Sequence, residues 1–130
     1  MLLQTTLSLA AAAAIINLWL SMRCGQVRMQ EKILIGDGGN ERLTARMRAH
    51  ANFIENTPLV LVLIAGIELT GKGMPWVAYL GALFMLGRVS HGLGMDRNYP
   101  NPLRIFGTIS AMVTLLVLAI YAVLIALGVA

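Results

Sequence analysis

The run LLQTTLSLAAAAAIINLWLSM, Leu2–Met22, holds no charged side chain. A helix needs about 20 mostly apolar residues to cross a hydrocarbon core about 30 Å thick, so this stretch alone is long enough to span a bilayer. Three further apolar stretches follow, Phe53–Leu69, Met74–Leu93 and Ile105–Val129. With their polar flanks counted, the predicted spans cover approximately 2–22, 49–70, 74–94 and 104–129. They use most of the 130 residues and leave no room for a separate soluble domain. Composition agrees, with 58% apolar and 12% charged residues, where soluble domains have about a quarter charged. The first run does not read as a cleaved signal peptide. Its basic residues, Arg23 and Arg28, come after the apolar stretch, and Ile15–Leu20 continues past the alanines.

The connections set the topology. Gly71-Lys72-Gly73-Met74-Pro75 is a short hairpin, with Pro75 suited to the first turn of the next helix. Asn98-Tyr99-Pro100-Asn101-Pro102 is a rigid turn whose prolines stop one helix and prepare another. Short connections make sequential helices antiparallel, which predicts an all-α, up-down bundle of four transmembrane helices. The longest polar segment, Arg23–Arg48, contains Gly36-Asp37-Gly38-Gly39-Asn40. That string reads as a turn tolerant of positive φ. A phosphate-cradling loop would need a following Lys-Ser/Thr and a preceding strand, and both are missing.

Charge placement orients the bundle, since Lys and Arg accumulate on cytoplasmic loops. Arg23, Arg28, Lys32, Arg42, Arg46 and Arg48 lie between spans one and two, and Arg88, Arg97 and Arg104 at or near the turn between spans three and four. Only Lys72 lies on the other side. Nine of ten basic residues therefore mark a cytoplasmic face, with both termini on the non-cytoplasmic side. These charges bracket membrane spans without interleaved aromatics, so they do not describe a nucleic-acid footprint. Cys24, the single cysteine, permits no internal disulfide, and with no base identified beside it reads as an inert or lipid-facing thiol.

Polar residues at membrane depth are costly and call for a reason. At the start of span two, Arg48, Asn52 and Glu55 fall within about 60° of one another on a helix, while His50 points elsewhere. Pro58, one turn deeper, removes a backbone hydrogen bond and marks a place for a kink. This face suits either a ligand site or a structural clamp in which Arg48 snorkels and pairs with Glu55. On span three, Arg88 and His91 share a face, and Arg104 follows the proline turn. Arg28, Arg48, Arg88 and Arg104 gathered at one membrane face would suit an anionic ligand, since arginine forks match carboxylates. Each arginine alone is also explained by topology. His50 and His91 sit on different helices without an obvious third ligand, so no metal site is expected. Glu68 is expected at the far interface beside Thr70 and Lys72.

Two local patterns carry a resemblance: Arg48-x-His50-x-Asn52-x-x-Glu55 with Pro58 beyond it, and Gly87-Arg88-x-x-His91-Gly92 followed by Pro100-Asn101-Pro102-x-Arg104. In order and on these spans, they make the chain similar to the MAPEG family, the membrane-associated proteins in eicosanoid and glutathione metabolism. The Gly36–Gly39 loop and short tails look most like its compact bacterial branch, which implies the bacterial inner membrane. The resemblance implies a homotrimer with glutathione as co-substrate, held between subunits near the cytoplasmic face. It assigns binding to Arg48, Asn52 and Glu55, with Arg28, His50 and His91 at neighbouring positions, and thiol activation to Arg104 or Arg88. The implied activity is a glutathione transferase or peroxidase acting on lipophilic electrophiles that arrive through the bilayer. Leu93 and Met95 stand near positions where several members carry tyrosines, and Asn56 where some eicosanoid-forming members carry one. The alternative is a non-catalytic trimer that binds lipid or acts as a scaffold. A small multidrug exporter would place an acidic residue in span one, and Leu2–Met22 has none.

Overall fold

The computed structural model describes all of residues 1–130 and consists of four helices: α1 Gln4–Glu31, α2 Glu41–Leu69, α3 Pro75–Gly94 and α4 Pro102–Ala126. α2 opens on Asn40, whose side chain accepts from the Leu43 amide at 2.9 Å. α4 opens on Asn101, which accepts from the Arg104 amide at 2.9 Å, with Pro102 in its first turn. α3 opens with Pro75. Short polar side chains and first-turn prolines supply what the unpaired amides of a helix start need.

The helices run further than the predicted spans. α1 continues nine residues past Met22 to Glu31, and α2 begins at Glu41 rather than near residue 49. Hydropathy marks where the membrane is, whereas helicity follows residues such as Gln, Met, Arg and Glu that favour helix in water as well. At 1.5 Å per residue, α1 and α2 are each about 42 Å long, more than the hydrocarbon core requires. The connection shrinks to Lys32–Asn40, with Gly36, Gly38 and Gly39 at positive φ as the turn reading required. The Asp37 carboxylate accepts from the Gly39 amide within it. α2 passes through Pro58 as one continuous helix, so the expected kink does not divide it.

Three helices, α1, α2 and α4, are long and apolar enough to cross a membrane. α3 falls short of that measure. It is the shortest, and it carries Arg88, Ser90 and His91. Arg88 and His91 are buried, facing the other helices rather than the surroundings. α2 and α3 touch each other and both outer helices, while α1 and α4 sit at opposite corners without contact.

Each helix buries one narrow stripe. On α1 the stripe is Leu9, Ala13, Ile16, Leu20, Cys24 and Val27, at three- and four-residue steps. Cys24 packs with Val27 and Leu43 and so is turned inward, not toward lipid. The remaining apolar side chains, such as Ile109, Met112, Leu116, Ile120 and Val123 of α4, point outward. Outward apolar faces of this extent are what a bilayer solvates. The chain is a multi-pass integral membrane protein.

α3 and α4 approach closely through glycines, as small residues permit in membrane bundles. A Cβ built on Gly107 would lie 2.5 Å from His91 Cβ and 2.7 Å from the Gly87 carbonyl oxygen. Backbone and Cβ atoms cannot swing aside. Gly107→Ala is therefore expected to cost about 1–3 kcal/mol by overpacking, read as earlier thermal unfolding in detergent. Gly25→Ala, which meets no atom within 4 Å, is the matched control and is expected to be neutral.

At the end away from the arginines, Glu68, next to the last residue of α2, is buried against the start of α1. Its carboxylate accepts from the Thr5 amide at 3.1 Å and from the Thr6 amide and hydroxyl at 2.6 Å each. α1 has no side-chain cap of its own; an acid from α2 fills that role at the positive end of the helix dipole. Tyr121 donates to the Lys72 carbonyl at 2.9 Å and packs edge-on against Trp76, which closes the α2–α3 hairpin over α4.

Candidate functional site

The basic end contains three distinct arrangements. The first is a clamp. Arg46 of α2 donates Nε to Asp96 Oδ1 at 3.1 Å and Nη2 to Asp96 Oδ2 at 2.9 Å. Its Nη1 donates to the Arg23 carbonyl at 2.7 Å and to Gln26 Oε1 at 3.2 Å. Arg23 pairs with the same carboxylate and stacks on Trp19. One acid in the α3–α4 turn thus ties α1 and α2 to that turn. Burial pushes the Asp96 carboxyl up, but hydrogen bonds and charge from Arg46 and Arg23 outweigh it and hold the group below its ordinary range. Reading charges as topology misses this clamp. The available signal is a single acid, Asp96, in a turn surrounded by basic residues.

The second arrangement is a groove of about 540 Å³ between α1 and α2, lined by Ser21, Cys24, Arg28, Met47, His50 and Ile54 among others. His50 Nε2 lies 2.7 Å from Asn17 Oδ1 of α1. An amide oxygen only accepts, so in this arrangement Nε2 is the donor. Asn17, an amide inside an apolar run, is a partner the sequence reading did not single out. Arg28 donates to the Gly36 carbonyl at 2.8 Å and so anchors the turn above the groove.

The third lies on the other side of α2. Arg48 and Glu55 point away from the bundle, their side chains each 59% exposed and 3.9 Å apart. Asn52, a turn from each, is half-buried and turned inward to Arg88. Arg88 is 2% exposed. It donates Nη1 to Asn52 Oδ1 and Nη2 to the Gly107 carbonyl at 2.6 Å, and lies over the Phe84 ring. No carboxylate pairs with it. His91 is buried where α3 meets α4 at Gly107. Arg104 stacks on Tyr99 with 4.9 Å from Cζ to the ring centre, and its guanidinium makes no hydrogen bond or ion pair.

Arg48 and Glu55 share the outward face, Asn52 stands at its edge with its side chain turned inward to Arg88, and His50 lies on another side of the helix. Within one chain no two of Arg28, Arg48, Arg88 and Arg104 share a hydrogen-bond or ion-pair partner. One chain therefore presents these polar groups on two different sides of α2. The groove carries Arg28 and His50, and the outward stripe carries Arg48, Glu55 and the Asn52–Arg88 pair.

Comparison with known proteins adds an independent finding. A family model described as the MAPEG family matches residues 6–124. The "Inner membrane protein YecN" of Escherichia coli strain K12 is 31% identical over 85 residues, which cover 65% of each chain. The same figures hold for the protein of that name in Escherichia coli O6:H1. The matched region is thus just under two thirds of the length of these curated relatives.

Proposed function

This chain belongs to the MAPEG family, and on that premise we propose that it is a membrane-bound glutathione-binding protein. In this reading it is a glutathione transferase or peroxidase for lipophilic electrophiles. It works as a homotrimer in a bacterial inner membrane, with the arginine-rich end cytoplasmic and both termini outside. The relatives named as inner membrane proteins support the location.

One observation carries the proposal: an exposed ion pair, Arg48–Glu55, on the outer face of a helix apolar enough to cross a membrane. Glu55 lies two residues inside the apolar run Phe53–Leu69 and Arg48 five residues before it, so the pair sits where α2 enters the membrane. Charges at membrane depth are expensive unless they face a bundle interior or a wet cavity. A second copy packed on this face removes the cost. It can also bring its own α1–α2 groove, with Arg28 and His50, toward Arg48, Asn52 and Glu55, so that each supplies half of one site.

Glutathione fits the inventory. It has two carboxylates for the arginines, an ammonium for Glu55, and a thiol with an ordinary pKa near 8.5. Arg104 or Arg88 would favour the thiolate; Arg104, whose guanidinium makes no hydrogen bond or ion pair, is preferred because Arg88 is already bound on two sides. The thiolate sulfur would attack an electrophilic carbon, expelling its leaving group, or the outer oxygen of a hydroperoxide. The second attack breaks the O–O bond, releases the alcohol and leaves glutathione sulfenic acid, which a second glutathione converts to disulfide and water. The non-catalytic reading keeps one specific point in its favour, the apolar Leu93 and Met95 near positions where several members carry tyrosines.

The test is calorimetric titration of the detergent-purified protein with glutathione, with thiolate absorbance and conjugation of a generic aromatic electrophile followed in parallel. Saturable binding at one site per subunit interface and a new thiolate band are expected. Binding without conjugation would favour the non-catalytic trimer, and no binding would remove the glutathione reading.

A further inference from the structure

We infer that Arg88 is a positioning residue: it fixes the Asn52 carboxamide so that its NH2 faces the outward stripe as a strengthened donor for a ligand carboxylate. This rests on the glutathione reading and assigns the contact to one of glutathione's carboxylates.

The geometry has three parts. A guanidinium offers only donors, so the atom of Asn52 that faces Arg88 must be Oδ1, as observed. Nδ2 then points away from Arg88 and has no partner in the protein. Around the helix, Asn52 sits about 40° from Arg48 and about 60° from Glu55 at 100° per residue. It lies between the buried arginine and the exposed pair, with its acceptor turned to Arg88 and its donor without a protein partner.

Arg88 itself is held from three directions. Asn52 is on α2, the Gly107 carbonyl on α4, and the Phe84 ring one turn back on α3. Gly107 lets α3 and α4 come close enough for that carbonyl to be reached. With Nε buried and unpartnered and no acid paired to it, Arg88 leaves an uncompensated positive charge behind the amide. A donor chain running from guanidinium to amide to carboxylate is strengthened by polarisation in a low-dielectric surrounding. An anion bound at Nδ2 would partly balance the buried charge, which a neutral ligand group would not.

The test uses full-length protein in detergent and reads glutathione affinity and thermal stability together. Asn52→Asp keeps the shape, turns the contact with Arg88 into an ion pair and removes the NH2. Stability equal to or above that of the native protein is expected, with glutathione affinity lower by about 10-fold or more, the range for a lost hydrogen bond to a charged group. A merely structural pair would keep its affinity. Arg88→Lys, in the native and the Asn52→Ala backgrounds, supplies the second measurement. Lysine still donates to Oδ1 but holds the amide less firmly, so a several-fold loss is expected in the native background and none in Asn52→Ala. Equal losses in the two backgrounds, or native affinity in Asn52→Asp, would overturn the inference while leaving glutathione binding intact. Failure of the native protein to bind glutathione overturns both.

Discussion

Arg46→Ala is expected to be the most destabilising single substitution at the basic end, costing about 3–5 kcal/mol, the range for breaking a buried ion pair from one side. Arg46 is almost fully buried, and its donors engage Asp96 twice, the Arg23 carbonyl and Gln26. Its removal leaves the Asp96 carboxylate to Arg23 alone and takes away two contacts to α1. Arg23→Ala is expected to cost less. Its side chain is 15% exposed against 7% for Arg46, and it contributes one contact to the carboxylate instead of two. Asp96→Asn keeps the shape and leaves two guanidinium groups facing each other unneutralised, so its cost should approach that of Arg46→Ala. The pH dependence has a definite sign. A carboxyl held below its ordinary value contributes stability above the unfolded pKa, near 3.9, and loses it as pH falls through the folded value. Thermal unfolding should therefore be flat in this contribution from neutral pH down to about pH 4 and fall below it. Asp96→Asn should flatten that fall. A native-like unfolding temperature for Arg46→Ala would show the clamp to be dispensable.

Much of the fold was legible because apolar length is a one-dimensional property. The four runs map onto four helices, and Gly36–Asn40 onto the turn between the first two. Helix ends were less legible, because nothing in hydropathy separates a helix leaving the membrane from a loop. Arg48 and Glu55 on one face and His50 apart follow from the wheel, since that depends on one helix alone; the inward turn of Asn52 to Arg88 does not. Partners across helices were another matter. Asn17 opposite His50, Asp96 beneath Arg46 and Thr5 above Glu68 depend on register between segments 33 to 63 residues apart. No periodicity encodes that register. The same limit applies to the four arginines Arg28, Arg48, Arg88 and Arg104. All of them lie toward the basic end, yet the helices aim them at different neighbours.

Glu55→Gln and Arg48→Ala are expected to weaken glutathione binding by about 100-fold while leaving the melting of the subunit nearly unchanged. The pair is 3.9 Å apart and more than half exposed on each side, and exposed pairs of this kind contribute about 0–1 kcal/mol to folding. A group that meets a ligand's charge in a water-poor interface contributes much more. Losing a hydrogen bond to a charged group costs about 1.5–3 kcal/mol, and leaving its partner buried and unpaired raises the loss further. The two roles open to this face thus separate by which measurement moves. A structural clamp predicts lower stability or a dissociated oligomer with glutathione affinity preserved. A ligand site predicts intact oligomers, seen by native mass spectrometry, with titration heat reduced to background. Glu55→Gln is the sharper of the two variants, because it keeps size and one acceptor oxygen while removing the charge that would receive the glutathione ammonium. Glutathione methylated on its carboxylates extends the comparison. It should bind weakly to the native protein and lose little more on Arg48→Ala, because that arginine would have nothing left to hold.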